Sequence, residues 1–142
     1  MFDADASSRS LGIELAEAAD GYAVARMRIT ERMVNGHGIA HGGYLFLLAD
    51  TAFACACNSY GPATVASGAE ITFIASARLG DLLTATATER ARYGRNGIYD
   101  VTVRRAAGSG PGGDGGPGGE AIAEFRGRSR TIGRGQQAEA GG

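Results

Sequence analysis

The chain has 142 residues, of which 44% are hydrophobic and 20% are charged, and its formal net charge is −1. This length suits one domain with its own hydrophobic core, and the near-neutral charge excludes the strong positive field of a typical nucleic-acid-binding protein. No apolar run is long enough to span a membrane and no signal pattern opens the sequence, so we expect a cytoplasmic protein.

The N-terminal part of the sequence predicts a hairpin. The first ten residues are small and polar, and we interpret them as a frayed arm or a short helix. Two strand-like runs, over residues 11–19 and 22–29, flank Asp20-Gly21, a dipeptide that is typical of tight hairpin turns. The second run does not alternate strictly, which predicts a β-bulge near Ala25.

The residues from Tyr44 to about Ser59 predict one long helix that is buried on all sides. Good helix formers and apolar residues occur on every face of it. About fifteen residues at a rise of ~1.5 Å each give a length of ~23 Å, which suits the central element of a small domain. Cys55 and Cys57 point to different faces of this helix, and we interpret both as small buried residues.

After the helix the pattern changes to strands. Four strand patterns follow, over residues 63–76, 82–91, 98–106 and 121–132. In the second of them Leu83, Ala85 and Ala87 alternate with threonines, as in a half-buried strand. Arg95-Asn96-Gly97 predicts the hairpin turn that follows this strand, because Asn-Gly is the strongest hairpin pair. With the N-terminal hairpin, these runs predict an α+β fold in which a long helix packs on an antiparallel sheet of five or six strands.

Glycine dominates the segment before the last strand. Residues 108–119 contain the dinucleotide-binding pattern G-x-G-x-x-G letter for letter, but no helix follows it. We therefore interpret this segment as a flexible hairpin loop, and residues 133–142 as a loose tail. Residues 1–142 are then a single domain.

Asp50 lies in the middle of the predicted helix. Its neighbours three and four residues away are all apolar: Phe46, Leu47, Phe53 and Ala54. An ionised carboxylate is costly in such surroundings unless something pairs with it or uses it. One interpretation is structural, with a partner such as Thr51 or an arginine from a strand. The other is a general base or nucleophile with a shifted pKa.

His41-Gly42-Gly43 leads into the helix. Glycines leave the first free N–H groups of a helix accessible, and such amides can stabilise a carbonyl oxygen that becomes an oxyanion. The alternative is that the glycines only make the bend from loop to helix. An oxyanion donor at Gly42 and a base at Asp50 are the components of an acyl-transfer hydrolase. They lie ~12 Å apart along one helix, so two antiparallel helices from two chains must provide them.

The sequence gives less support to a metal site or to a Ser-His-Asp catalytic triad. His37 and His41 are four residues apart and would share a face only on a helix, which Gly36 and Gly38 oppose. We therefore predict no metal site. No serine lies at a strand-to-helix elbow, as a serine nucleophile of the hydrolase type requires.

Four segments carry a resemblance to a known family: Asn35-Gly-His37, His41-Gly-Gly43, Leu48-Ala-Asp-Thr-Ala-Phe53 and Ala56-Cys-Asn-Ser59. They resemble the hot-dog-fold thioesterases of the phenylacetic-acid-degradation (PaaI) type. Weaker strand motifs extend the resemblance over most of residues 30–132. The family implies a hot-dog fold, in which a curved antiparallel sheet wraps the long central helix. It also implies a homodimer made by joining two sheets, and a homotetramer that is a dimer of dimers.

The resemblance implies hydrolysis of acyl-coenzyme A thioesters, of the phenylacetyl-coenzyme A or hydroxyphenylacetyl-coenzyme A type. No cofactor is expected, because coenzyme A is part of the substrate, and neither nucleic acid nor membrane is an expected partner. By resemblance Asp50 activates water and Gly42 supplies the oxyanion N–H, while Asn35 and His41 help to hold water or thioester. Two further residues are expected to support substrate binding: Thr51 and Ser67.

Two other functions remain compatible with the sequence. A hot-dog dehydratase would act on 3-hydroxyacyl thioesters with a histidine and a carboxylate, although the helix aspartate and second glycine favour hydrolysis. A non-catalytic acyl-coenzyme A binding module would not require Asp50. Release of free thiol from phenylacetyl-coenzyme A distinguishes a thioesterase from both.

Two sets of side chains have more than one interpretation. The arginines at 126, 128 and 130 share a face of the last strand, and could contact coenzyme A phosphates or form a solvated edge. Three aromatic residues could line an aryl pocket or belong to the core: Tyr44, Phe53 and Tyr60.

Overall fold

The computed structural model describes residues 2–107 and 116–132. A 16-residue helix packs on a six-stranded antiparallel sheet, which confirms the predicted α+β arrangement. The helices are α1 (Ala6–Ser10) and α2 (Gly42–Cys57), with 3-10 turns at Phe2–Ala4 and Glu31–Met33, and the strands are β1 (Glu14–Ala19), β2 (Tyr22–Arg28), β3 (Thr64–Phe73), β4 (Leu82–Tyr93), β5 (Asn96–Ala107) and β6 (Gly116–Thr131). Residues 108–115 of the predicted flexible loop and the predicted tail at 133–142 lie outside the described residues.

The strand order is β1-β2-β4-β5-β6-β3, and every neighbouring pair is antiparallel. The chain leaves β2, runs through α2 and returns as β3 at the opposite edge of the sheet, beside β6. All six strands contact α2. The sheet therefore surrounds the helix, and β1 and β3 are its two edge strands.

The interface between β4 and α2 is built from small and aliphatic side chains. The predicted alternation in β4 is confirmed, because Leu83, Ala85 and Ala87 are fully buried while the threonines between them are half-buried. Alanines of α2 are also fully buried: Ala49, Ala52 and Ala56. Short side chains on both surfaces let helix and sheet approach closely, so the buried face of α2 has a fixed position above the sheet.

An aromatic cluster fills the core beneath α2. The ring of Phe53 is 1% exposed, and its centroid lies 5.6 Å from that of Tyr99 and 5.8 Å from that of Phe125. Gly127 of β6 lies directly under this ring, since a Cβ at that position would be 2.7 Å from the Phe53 Cζ atom. The ring thus occupies the space that any larger residue at 127 would need.

We expect Gly127→Ala to lower the free energy of unfolding by about 1–3 kcal/mol, the usual cost of overpacking a filled core. The matched control is Gly68→Ala in β3, where a new Cβ would lie 3.8 Å from Arg128 Nη1, an ordinary contact. Urea denaturation of both variants measures the difference. Equal unfolding midpoints would show that the Phe53 ring moves aside without cost.

The position of one hairpin turn differs from the prediction. The β4–β5 turn is Gly94-Arg95, with Gly94 at φ +59°, and Asn96 already pairs with Tyr93. Gly97 lies inside β5, where a Cβ would be 2.7 Å from the Ser129 hydroxyl oxygen. The glycine of the Asn-Gly pair therefore permits close packing between strands. Of the three predicted turn residues, only Arg95 lies in the turn.

The β-bulge of the N-terminal hairpin lies in the other strand from the one predicted. Leu15 pairs with Ala25 and Glu17 with Val24, so Ala16 is the extra residue. The edge strand β1 carries the irregularity, opposite the site near Ala25 where the sequence predicted it. Bulges are frequent in edge strands because no further strand has to follow the bend.

The glycine-rich loop is shorter than the predicted range 108–119. β6 begins at Gly116, which pairs with Ala107, so residues 116–119 belong to the strand. A Cβ at Gly119 would overlap the carbonyl oxygen of Arg105. Glycine is needed there because the neighbouring backbone passes too close for any side chain.

Residues 2–10 form a 3-10 turn and a short helix rather than a frayed arm. Asp5 caps α1 by accepting a 3.0 Å hydrogen bond from the Ser8 N–H, and the Ser8 side chain is fully buried. Phe2 and Leu11 pack against the core at either end of this segment. Among the helices that the structure describes, none is long and apolar enough to cross a membrane.

Candidate functional site

The loop before α2 is organised by Asn35. Its side-chain oxygen accepts hydrogen bonds from the N–H groups of His37, at 2.8 Å, and Ile39, at 3.2 Å. Gly38 closes this turn with φ +75°. The carboxamide oxygen of Asn35 thus holds the loop in shape, and its predicted contact with water or thioester stays a prediction.

The N-terminus of α2 is held by backbone hydrogen bonds on both sides. His41 is the N-cap residue, its N–H donates to the Met33 carbonyl at 2.8 Å, and its imidazole is exposed. The preceding Ala40 N–H donates to the Ala77 carbonyl, also at 2.8 Å. The start of the helix is therefore fixed to two other parts of the chain, and the histidine side chain faces outward from it.

Gly42 is the first residue of α2, and its N–H donates no hydrogen bond to a described residue. The ring of Phe73, from the end of β3, lies against it: a Cβ at Gly42 would be 2.7 Å from the ring Cζ atom. The glycine thus has two physical roles here. It exposes a free amide at the positive end of the helix, and it admits an aromatic ring beside that amide.

Asp50 lies two turns further along α2. Its carboxylate is half-buried and has no hydrogen bond or ion pair with any residue in the described part of the chain. Burial raises the pKa of Asp50 above its ordinary value, and the negative charge of Asp5 raises it further. The structural interpretation requires a partner for the Asp50 carboxylate, and the described part of the chain contains none.

The raised pKa of Asp50 has a defined effect on stability. Because the folded-state pKa exceeds the unfolded one, the native state binds the proton more tightly than the unfolded state between these two values. The stabilisation that comes from protonated Asp50 is complete when the pH is below the unfolded-state pKa. It is lost as the pH rises through the folded-state pKa. At neutral pH the protein therefore carries an ionised carboxylate at a cost to folding, as is common for catalytic groups.

Thr51 points away from the surface, toward α1. It is 3% exposed, and its hydroxyl contacts the Leu47 carbonyl at 2.8 Å and the Ser8 hydroxyl at 2.7 Å. Ser67, in contrast, is the extra residue of a bulge in β3, exposed, with its hydroxyl donating to the Arg128 carbonyl at 3.2 Å. The structure does not bring these two predicted substrate-binding residues together, and their roles stay predictions.

The two cysteines are buried, and their thiols are unreactive. Burial raises the pKa of Cys55 to about 11 and that of Cys57 to about 12, so both thiols are protonated at neutral pH. A protonated thiol is a poor nucleophile and a poor metal ligand. Within residues 2–107 and 116–132, no three histidine, cysteine or acidic side chains are grouped as metal ligands.

Two of the three candidate arginines of β6, Arg126 and Arg128, have acidic partners. Arg126 makes two hydrogen bonds to Asp100, at 2.7 and 2.9 Å, and Arg128 bonds Glu70 at 2.6 Å. These pairs favour the interpretation of a solvated sheet face over a coenzyme A phosphate site. Of the three candidate aryl-pocket residues, Phe53 belongs to the core, and the exposed Tyr60 is covered by Arg92, whose guanidinium lies 3.7 Å from the ring centroid.

Sequence reasoning missed two parts of this site. Phe73 lies within the predicted strand 63–76 and was given no role at the site, although its ring covers Gly42. The link from α1 to Thr51 was missed as well, because Ser8 and Thr51 are 43 residues apart. The one local signal was Asp5, whose residue type and position are those of a helix N-cap.

Three comparisons place this arrangement among known proteins. Residues 37–110 match the family model described as Thioesterase superfamily. The chain is 42% identical over 133 residues to the acyl-coenzyme A thioesterase PaaI of Escherichia coli, and the match covers 94% of this chain and 87% of that protein. It is also 33% identical to a putative esterase of Archaeoglobus fulgidus, over 75% of this chain and 70% of that one.

Solved structures agree with the sequence matches. The Escherichia coli PaaI protein from the phenylacetic acid degradation operon has a TM-score of 0.83 at 42% identity, over 94% of this chain and 88% of that one. A mutant of the phenylacetic acid degradation protein PaaI from Thermus thermophilus has a TM-score of 0.76 at 30% identity. That match covers 90% of this chain and 100% of the other.

Proposed function

Because this chain belongs to the thioesterase superfamily, we propose that it hydrolyses acyl-coenzyme A thioesters with Asp50 as the general base. The observation that carries the proposal is the Asp50 carboxylate, half-buried in an apolar helix with no partner among the described residues. Such a group is retained at a cost to folding, and proton transfer from water is a use that accounts for it.

The proposed reaction is direct hydrolysis. Asp50 takes a proton from a bound water, whose oxygen forms a bond to the thioester carbonyl carbon. The carbonyl oxygen becomes an oxyanion, which the Gly42 N–H and the positive end of α2 stabilise. The C–S bond then breaks, and the proton held by Asp50 goes to the departing thiolate. The products are a carboxylic acid and free coenzyme A.

A second copy of the chain is part of the proposed site. Gly42 and Asp50 are eight residues apart on α2, or ~12 Å, whereas a base must lie about 3 Å from its water. In the described chain β3 pairs on one side only, and large apolar side chains lie exposed at and just beyond its end: Phe73 at 51%, Ile74 at 56% and Leu79 at 47%. An open strand edge beside an apolar patch favours sheet-to-sheet pairing of two protomers.

The proposed assembly is a homodimer that pairs again into a dimer of dimers. The outer face of the sheet supports the second step, since it carries charges of both signs side by side: Arg90, Asp100, Arg126, Glu70 and Arg128. A surface with both signs can face a second copy of itself without net repulsion.

The proposed substrate is an aryl thioester of the phenylacetyl-coenzyme A type. This choice rests on the Escherichia coli relative, which is named for its acyl-coenzyme A thioesterase activity and comes from a phenylacetic acid degradation operon. Dehydration of 3-hydroxyacyl thioesters and simple acyl-coenzyme A binding are the competing functions, and membership of a thioesterase superfamily favours hydrolysis over both.

Thiol release tests the function directly. The purified protein is given phenylacetyl-, hydroxyphenylacetyl-, hexanoyl- and 3-hydroxybutyryl-coenzyme A, and free coenzyme A is followed with a thiol reagent. We expect multiple turnovers with the two aryl thioesters and a lower kcat/KM with the aliphatic ones. Loss of the 3-hydroxybutyryl substrate without thiol release would identify a dehydratase, and binding without any turnover would identify a binding module.

A further inference from the structure

A chain of hydrogen bonds joins α1 to the catalytic turn of α2. The Asp5 carboxylate accepts from the Ser8 hydroxyl at 2.7 Å, and the Ser8 and Thr51 hydroxyls are 2.7 Å apart. The Thr51 hydroxyl also donates to the Leu47 carbonyl at 2.8 Å. Ser8 is fully buried, and Thr51 is the residue next to Asp50. The N-terminal segment thus contacts the turn that carries the proposed base.

This series of three hydrogen-bond contacts contains only two hydroxyl protons, those of Ser8 and Thr51. An ionised Asp5 only accepts, so the Ser8 proton goes to it and the Thr51 proton remains for the other two contacts. Thr51 must divide one proton between the Leu47 carbonyl and the Ser8 oxygen. A neutral group at position 5 that donates to Ser8 would supply a third proton and satisfy every contact. The charge at position 5 therefore affects how Thr51 is held.

The negative charge of Asp5 also acts on the Asp50 carboxyl group. In the described part of the chain it is the charged group that acts on the Asp50 carboxyl, and no charged side chain of the sheet contributes to the pKa of Asp50. On α2 itself, burial raises the pKa of Cys55 to about 11 and that of Cys57 to about 12, so neither thiol carries a charge at neutral pH. The negative charge of Asp5 thus disfavours ionisation of the Asp50 carboxyl.

We propose that α1 is a working part of the active site, in which Asp5, connected to Thr51 through Ser8, is a positioning residue for the adjacent Asp50. This inference rests on the proposed function of Asp50. By fixing the turn at Thr51, the chain from Asp5 limits where the Asp50 carboxylate can place its water. By its negative charge, Asp5 sets the acidity at which that carboxylate becomes the active base.

The first test is the pH dependence of kcat/KM in Asp5→Asn. The asparagine carbonyl still caps α1, and its amide can donate to Ser8, so the fold has every contact that it needs. Without the charge, the pKa of Asp50 falls, and we expect the acid limb of the profile to move to lower pH. The matched control is Asp3→Asn, which removes the same charge from an exposed position in the same segment and should leave the limb in place.

Asp5→Ser is a second neutral N-cap, and it repeats the measurement if the asparagine variant does not fold. An unmoved acid limb in a folded, active Asp5 variant overturns the inference, as does an equal movement in Asp3→Asn. A wild-type chain that releases no thiol would instead reject the proposed function. The two failures are therefore distinguishable.

Ser8→Ala tests the positioning role separately from the charge. It keeps Asp5 ionised but removes the link to Thr51, and we expect kcat to fall by up to ~10²-fold with little change in KM, as misplacement of a reacting group does. A purely structural role would lower the unfolding midpoint and leave the kcat of the folded fraction unchanged. That result would overturn the positioning role of Ser8 and Asp5.

Discussion

Asp50→Asn is expected to lower kcat for phenylacetyl-coenzyme A by about 10²–10⁴-fold, the usual contribution of a general base. The asparagine side chain has nearly the same shape, so the site keeps its form but loses the oxygen that accepts a proton from water. Affinity for a non-hydrolysable thioether analogue should be unchanged, because the substitution does not alter the surface that holds the acyl group. Single-turnover thiol release and analogue binding measure the two effects.

The same variant has an expected effect on stability that serves as its control. Wild type holds a carboxylate with a raised pKa, so its ionisation at neutral pH costs folding free energy, whereas asparagine carries no charge. We expect Asp50→Asn to unfold at an equal or higher urea concentration than wild type at pH 7, and this advantage should vanish at low pH. Wild-type turnover in this variant would remove Asp50 from the mechanism, and a fall in its stability at neutral pH would show that the carboxylate has a structural partner.

Two inactive variants are expected to restore activity when they share a dimer. In Gly42→Val the new side chain meets the Phe73 ring and crowds the proposed oxyanion position, and loss of such a donor typically costs ~10²–10³-fold in kcat. Its matched control is Gly43→Ala, since a Cβ at Gly43 meets no atom within 4 Å, and it should remain active. The chain with Gly42→Val still has Asp50, and the chain with Asp50→Asn still has Gly42.

A heterodimer of these two chains contains one site with both defects and one site with neither. Random assembly from equal amounts makes half of the dimers heterodimers, so about a quarter of wild-type activity should return in the mixture and about half in the isolated heterodimer. Differently tagged chains are co-expressed, the heterodimer is isolated through both tags, and thiol release is measured against each homodimer. An inactive heterodimer of confirmed composition would mean that each protomer holds a complete site.

The central helix and the sheet could be predicted because their signals are local. The alternation of Leu83, Ala85 and Ala87 with threonine has a period of two, which a half-buried strand produces and a helix does not. The helix was recognised from its apolar faces, although it begins at Gly42, two residues before the predicted Tyr44. Two glycines are poor helix formers, so composition placed the boundary too late.

The turn at Asn96-Gly97 could not be excluded from sequence alone. Glycine is favoured both where φ is positive and where another group approaches the backbone, and the letter does not distinguish these causes. Gly94 has the positive φ, while Gly97 makes room for the Ser129 hydroxyl of a strand that follows 32 residues later. Only the pairing of distant strands decides which glycine makes the turn.

The candidate site was predictable in part for the same reason. Gly42 and Asp50 stand out within one helix, so their residue types and spacing were sufficient to select them. Asp5 and Ser8 act through Thr51, on a contact that spans 43 residues, and no periodicity connects the two segments. The small polar residues that suggested a frayed arm are the ones that form the buried hydrogen bonds.

If the site is shared between protomers as proposed, the separation of Gly42 from Asp50 has a further consequence, namely that specific activity should depend on enzyme concentration. When neither protomer contains a whole site, the number of working sites equals the number of associated subunits, and free subunits contribute nothing. Upon dilution below the dissociation constant of the dimer, the concentration of sites falls with the square of the subunit concentration. Serial dilution of the enzyme would therefore give a curved plot of rate against enzyme concentration. The curvature would measure the strength of association between the two edge strands.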